Sequence, residues 1–169
     1  MSLRELKVCL LGDTGVGKSS IVCRFVQDSF DPDINPTIGA SFMTKIVARN
    51  NEIHKYLIWD TAGQERETFH MLKTWVKELQ HHGPQNIVVA IAGNKCDLVD
   101  MREVQTEMAK NYAESIDAIF IETSAKTAIN ILEMFEEISK KIPCTEPCAN
   151  DRPSFKLGRL QPESSSRCC

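Results

Sequence analysis

An α/β fold with a largely parallel sheet is the architecture this chain predicts, on three observations. Strand-like and helix-like stretches alternate along the sequence. A glycine-rich loop joins the first of those strands to the first of those helices. An unbroken apolar run, Ile87 to Ala92, has the continuous hydrophobicity of a strand buried on both faces. Single strands alternating with single helices favour parallel pairing, because parallel neighbours need a crossover between them.

Each element has its own signal. Leu6, Val8 and Leu10 alternate as in a half-buried strand, and Ile21, Val22, Phe25 and Val26 recur at helical spacing. A polar loop from Asp31 to Thr37 is broken by Pro32 and Pro36. Ala40–Val47 and Ile53–Trp59 flank Asn50 and Asn51 and read as a hairpin. Phe69, Leu72, Trp75, Val76 and Leu79 form a helical stripe that Gly83-Pro84 ends, with His81 and His82 in the last turn, where imidazolium suits the helix dipole. After the strand Ile87–Ala92, a helix carries Val104, Met108, Ala109, Tyr112 and Ala113. A strand, Ala118–Ile121, follows, and the last helix carries Ile131, Phe135, Ile138 and Ile142. Most of these stripes are core. From Pro143 onward no period persists, so one globular domain is expected over 1–142 and a flexible tail over 143–169.

Composition sets bounds on function. A chain of 169 residues with 42% apolar and 25% charged residues suits one soluble domain. A net charge of −3 gives no case for nucleic acid. The longest apolar run is far too short to cross a bilayer, and the amino-terminal stretch, interrupted by Lys7, does not read as a secretory signal. Seven scattered cysteines do not suggest a disulfide framework, which points to a reducing cytosol.

The chemistry starts in the first loop. Gly12-Asp13-Thr14-Gly15-Val16-Gly17-Lys18-Ser19 fits G-x-x-x-x-G-K-[ST]. Its backbone N–H groups, through Gly15, Val16 and Gly17, point at phosphate oxygens at the positive end of the following helix. Lys18 reaches the β- and γ-phosphates and the Ser19 hydroxyl can ligate Mg²⁺. The plain alternative is a glycine-rich turn, which the strand–loop–helix context disfavours. Asn94-Lys95-Cys96-Asp97 follows the buried strand directly, and ligands bind beyond the carboxyl ends of strands in open α/β sheets. A carboxylate at Asp97 can accept from N1–H and the 2-amine of guanine, a donor pair that adenine lacks. Alone this pattern also fits a solvated turn. Paired with the upstream loop it argues for guanine, and against a P-loop ATPase or kinase. In Glu122-Thr123-Ser124-Ala125-Lys126, the N–H of Ala125 can meet the guanine carbonyl while Ser124 or Thr123 braces the loop. A helix N-cap cluster before Ala128 is compatible with the same residues. Asp60 stands at a strand end, where Mg²⁺ ligation beside a phosphate loop is sensible.

The order GDTGVGKS, PTIGASF, WDTAGQE, GNKCD, ETSAK and a terminal Cys-Cys resembles the Rab branch of Ras-like small GTPases, within it the endosomal Rab-twenty-two type, over about residues 3–142. The resemblance implies a three-layer P-loop NTPase fold of Ras-like type, with residues 1–142 as the small GTPase domain. It implies a GTP/GDP switch in endosomal vesicle traffic that hydrolyses GTP with Mg²⁺. In that family Thr37 would ligate Mg²⁺ and sense the γ-phosphate, Asp60 would hold Mg²⁺ through a water, and the N–H of Gly63 would touch the γ-phosphate. Gln64 would orient the attacking water. Phe30 matches the aromatic packed against guanine, and Ser20 the hydroxyl near the α-phosphate. The partners implied are Rab escort and GDP-dissociation proteins, exchange factors, GTPase-activating proteins and endosomal effectors. The place implied is the cytoplasmic face of early endosomes or trans-Golgi-derived membranes, with a cytosolic pool.

One feature departs from that family. Only 33 residues separate Asp60 from Asn94, and Gln64-Glu65-Arg66 runs straight into Glu67-Thr68-Phe69. Family comparison sets the loss at about two dozen residues, close to one helix plus one strand. Phe69–Leu79 can then serve as the crossover from the third strand, with Ile87–Ala92 sliding into the vacated central place. Core mismatches cost about 1–3 kcal/mol each, so the alternative function is a truncated form that binds nucleotide weakly or without regulated hydrolysis, as a binding protein or a poorly folded one. Phe42 and Trp59 remain of the aromatic surface through which Rabs meet effectors. The tail ends in Cys168-Cys169, which looks like a double geranylgeranylation signal. Unmodified thiols, or a metal pair with Cys144 and Cys148, are the other readings.

Overall fold

The computed structural model describes residues 2–49, 51–63, 68–84 and 86–143. Strand β1 (Ser2–Leu10) runs through the phosphate loop into helix α1 (Lys18–Gln27). A long connection leads to the hairpin of β2 (Ala40–Arg49) and β3 (Glu52–Thr61). Asn51 turns it at a φ of 67°, a left-handed conformation that Asn tolerates. Both hairpin strands outlast the expected Ala40–Val47 and Ile53–Trp59, because ten ladder pairs run from Ala40 opposite Thr61 to Arg49 opposite Glu52. Helix α2 (Thr68–His82), strand β4 (Ala90–Gly93), helix α3 (Thr106–Ser115), strand β5 (Ile119–Glu122) and helix α4 (Ile131–Lys141) follow.

The alternation of strands and helices holds, and the pairing is mostly parallel. β1 runs parallel to β3, Ser2 opposite Glu52 through Leu10 opposite Asp60. β4 runs parallel to β5, Ala90 opposite Ile119. The core lies against one face of β1 and β3. Along β3, His54, Tyr56, Ile58 and Asp60 are buried at every second position, as a strand with one covered face requires. Phe25 of α1 stacks on Phe135 of α4 with centroids 3.8 Å apart, and Tyr56 meets Phe25 edge-on at 5.1 Å. The Tyr56 hydroxyl donates to the Phe135 carbonyl at 3.2 Å. Each such fully buried aromatic contributes about 1.5–3 kcal/mol.

Two expectations are corrected. The strand expected at Ile87–Ala92 begins only at Ala90, and Ile87 is exposed. The Ile87 N–H is spent on a turn, donating to Pro84 O at 3.1 Å, and the ladder partner, β5, is four residues long. Nor does this strand slide beside β1. The sheet is split into a three-stranded unit, ordered β1-β3-β2, and a separate pair, β4-β5. The carboxyl end of β4 is held where it is. Thr123 N–H donates to Gly93 O at 2.9 Å, Cys96 N–H to Thr123 O at 3.0 Å, and Asn94 Nδ2 to Val16 O at 2.9 Å. A shift of β4 by one strand spacing, about 4.8 Å, would break the Asn94 bond to the phosphate loop, and the other two bonds require β5 to move with it.

Candidate nucleotide site

The phosphate loop closes into α1 through Gly17, whose φ is 94°. That conformation favours glycine, and a Cβ there would stand 2.4 Å from Asn94 Nδ2. The base-side loop and the phosphate loop are therefore in direct contact. Lys18, buried at the start of the helix, donates from Nζ to Gly12 O at 2.7 Å and Asp13 O at 2.8 Å. Burial holds its ammonium below its ordinary pKa, while Asp60 and Asp13 pull the other way. A cation so placed charges the floor of the loop.

Beside it, three oxygen-bearing side chains converge. Ser19 Oγ donates to Asp60 Oδ2 at 2.5 Å and lies 2.6 Å from Thr37 Oγ1, which donates to the same Asp60 oxygen at 3.1 Å. Asp60 is 3% exposed, and its other oxygen, Oδ1, has no hydrogen-bond partner among the described residues. An orphaned buried carboxylate oxygen beside two hydroxyls is a hard-oxygen donor set. It fits Mg²⁺, which takes few protein ligands and keeps several waters and phosphate oxygens. Thr37 reaches the cluster although it belongs to the long loop before β2. That loop is tied to the end of β3 by Ala62 N–H donating to Gly39 O at 2.7 Å. Gly63 lies against the phosphate loop so tightly that a Cβ would meet Thr14 N at 2.2 Å.

The base side is braced in the same way. Ser124 Oγ donates to Asp97 Oδ1 at 2.6 Å and is itself fully buried. Asn94 Oδ1 accepts from Ala125 N–H at 3.2 Å and Thr123 Oγ1 at 3.3 Å. The Ala125 N–H expected to face the guanine carbonyl is thus engaged by Asn94 here. Arg24 of α1 reaches across, donating to Ala125 O at 2.8 Å and Lys126 O at 3.0 Å. Sequence reasoning missed it, since a helical arginine followed by Asp28 reads as a solvated ion pair. Arg102 grips the Glu122 carboxylate at the base of this loop and holds its pKa below the ordinary value.

One cleft of about 460 Å³ gathers these elements, a size suited to a nucleotide. Gly15, Gly17, Lys18, Ser19, Ser20, Phe30, Thr37, Gly63, Asn94, Lys95, Asp97, Ala125 and Lys126 line it. Val16, Asp60 and Ser124 are not on its wall; Asp60 and Ser124 hold residues that are. Pro32, Ile34 and Pro36 also line it, a wall of the long loop that the sequence marked as a polar connection and not as part of the site. Gln64, Cys168 and Cys169 lie outside the described residues, as do Cys144 and Cys148. The expected aromatic pair stands beyond the cleft, Phe42 and Trp59 with centroids 5.0 Å apart and both exposed.

Comparison with known proteins agrees with this geometry. The Ras family model matches residues 7–67 and 65–144. Ras-related protein Rab-22A of Homo sapiens is 61% identical over 194 aligned positions, covering all of both chains, and that of Mus musculus 61% over 195. Ras-related protein Rab-31 of Mus musculus is 59% identical over 194 positions, again with full coverage. Against human Rab-22A, 194 positions matched by 169 residues leave 25 without a counterpart, and the break in the family match places them at residues 65–67. The chain belongs to the Ras family and is a small GTPase of the Rab type, 25 positions shorter than human Rab-22A.

Proposed function

We propose that this chain binds GTP and GDP with Mg²⁺ in the cleft described above, and works as a membrane-traffic switch on endosomal membranes. The observation that carries the reading is the convergence of the phosphate loop, the Ser19–Thr37–Asp60 cluster and the Asn94–Asp97 loop on one cavity. In this reading Lys18 and the N–H groups of Gly15, Val16 and Gly17 hold the β- and γ-phosphates, and Ser20 lies near the α-phosphate. Ser19 and Thr37 ligate Mg²⁺ and Asp60 holds it through a water. The ion would neutralise charge on the phosphates. Phe30 packs against guanine, Asp97 accepts from its N1–H and 2-amine, and Ser124 keeps that carboxylate oriented. Asn94, Lys95, Ala125 and Lys126 complete the base pocket. Gly63 offers its N–H to the γ-phosphate and Gln64 orients water. The roles of Thr37 and Gly63 make the loops on either side of β2–β3 sensitive to the γ-phosphate.

Residues 1–142 form the nucleotide-binding unit and 143–169 a tail that carries a prenylation signal. Cys168 and Cys169 supply two lipid chains, the number needed for stable anchoring at about 0.8 kcal/mol per buried CH₂. Replacing both with serine should leave the protein in the soluble fraction of fractionated cells. Persistent membrane association would point to a protein receptor instead. Partners expected on the exposed Phe42–Trp59 side are endosomal effectors, with escort and GDP-dissociation proteins, exchange factors and GTPase-activating proteins acting on the same chain.

The split sheet favours a second reading of the turnover step. The segment after Arg66 is short by 25 positions against human Rab-22A, and a ligand shifts a two-state element only if the element has two states of different affinity. Hydrolysis should be slow and weakly stimulated by a GTPase-activating protein. The test is single-turnover hydrolysis of labelled GTP on the purified chain. Retained nucleotide with slow turnover supports the shortened-switch reading. Release without hydrolysis leaves a binding protein.

A further inference from the structure

β1 commits one hydrogen-bonding edge to β3 along all nine residues. Among the described residues its other edge has no ladder partner, and β4 is likewise bonded on one edge, to β5. Both strands run toward the phosphate loop: β1 leads into it, and Asn94, one residue beyond β4, donates to Val16 O. Leu6, Val8 and Leu10 of β1 and Ala90 and Ala92 of β4 pack on the same apolar cluster. A long strand edge without proline is a template for another strand. At the carboxyl end of β1, Asp13 is 2% exposed, and neither carboxylate oxygen has a partner among the described residues.

We propose that β1 and β4 bound a slot for one extended aliphatic segment supplied by another polypeptide, paired in parallel with β1 and carrying a donor for Asp13 near its carboxyl end. The geometry selects the occupant. A second copy of β1 does not enter, because its far edge carries β3 and would bring that strand against β4. The chain's own tail is also a poor occupant. Pro147, Pro153 and Pro162 leave 154–161 as the longest stretch in which every residue carries an amide donor, and there Lys156 and Arg159 fall on opposite faces. One charge would face the apolar cluster, at high desolvation cost. A single aliphatic strand has two free edges, one for each open ladder, and apolar side chains to set on the shared cluster. Human Rab-22A carries 25 additional positions, at the break in the family match between β3 and α2.

The probe is a labelled synthetic peptide of those 25 positions from human Rab-22A, titrated into the full 169-residue protein. Amide hydrogen exchange is followed at both strands. A matched peptide with prolines at alternate positions of its most apolar run is the control, since proline removes ladder donors. Expected are saturable one-to-one binding and exchange slowed about tenfold or more at Leu6–Leu10 and Ala90–Gly93, with neither effect from the proline peptide. No binding, equal binding of both peptides, or protection confined to Phe42 and Trp59 would overturn the proposal. Slow edge amides in the free chain, released by removing 144–169, would assign the slot to the tail. Protection that grows with protein concentration would assign it to a second copy. Both results reject the proposal, as does fast exchange at Tyr56 and Ile58 with and without peptide, which reports a chain without the core that frames the slot.

Discussion

Asp97→Asn should convert the site from guanine to xanthine. The carboxylate is set by the buried Ser124 hydroxyl at 2.6 Å, leaving it oriented as an acceptor toward the cleft. An amide there presents a donor where guanine also donates. Sites built around a hydrogen-bonding group reject a mismatched partner by about 10⁴–10⁵. The expected result is a loss of GDP affinity of that order, with xanthosine diphosphate binding gained, measured by displacement of a fluorescent nucleotide. Equal GDP affinity in the variant would show that Asp97 does not face the base. Ser124→Ala should produce a smaller loss of about 1 kcal/mol, the usual worth of one orienting hydrogen bond.

Restoring the missing unit should have the largest effect on stability. Inserting after Arg66 the 25 positions that human Rab-22A carries should give the open edges of β1 and β4 a partner in the same chain. It should raise the free energy of unfolding by about 3 kcal/mol or more, a large share of the 5–15 kcal/mol typical of a domain. The urea m-value should rise with it, because more surface is exposed on unfolding. Effector binding should then depend on the nucleotide, whereas the 169-residue chain should bind Phe42–Trp59 partners nearly equally in both states. If the short chain already distinguishes GTP from GDP in a pull-down, the lost unit is dispensable for switching.

The site was more legible than the sheet. Glycines, Lys18, Ser19 and the Asn94–Asp97 tetrapeptide are read from local sequence because phosphate and base recognition use contiguous backbone and adjacent side chains. Asp60 was legible from its place at a strand end beside the phosphate loop, whereas Thr37 needed the family resemblance, since its meeting with Asp60 at 3.1 Å depends on how a long loop folds back over β3. Arg24 gave no signal, and Pro32 and Ile34 none that placed them on the cleft wall, because their role is set by tertiary contact alone. The missing segment was visible as a short interval before Asn94. Its consequence was not: hydrophobicity places Ile87–Ala92 in a buried strand but says nothing about which edge it keeps. The bonds from Gly93, Asn94 and Cys96 decide that, holding β4 against β5 and leaving β1 with an open edge.

A guanine-nucleotide site should survive a chain 25 positions shorter than human Rab-22A, because the groups that line the cleft lie on elements this chain retains. Competition on the purified 169-residue protein tests it most directly. Labelled GDP bound in the presence of Mg²⁺ should be displaced by GTP and GDP at similar concentrations, should resist ATP in large excess, and should leave quickly when the metal is chelated. Displacement by ATP as effective as by GTP, or the absence of any nucleotide binding by a chain whose Tyr56–Phe135 core is folded, would contradict it.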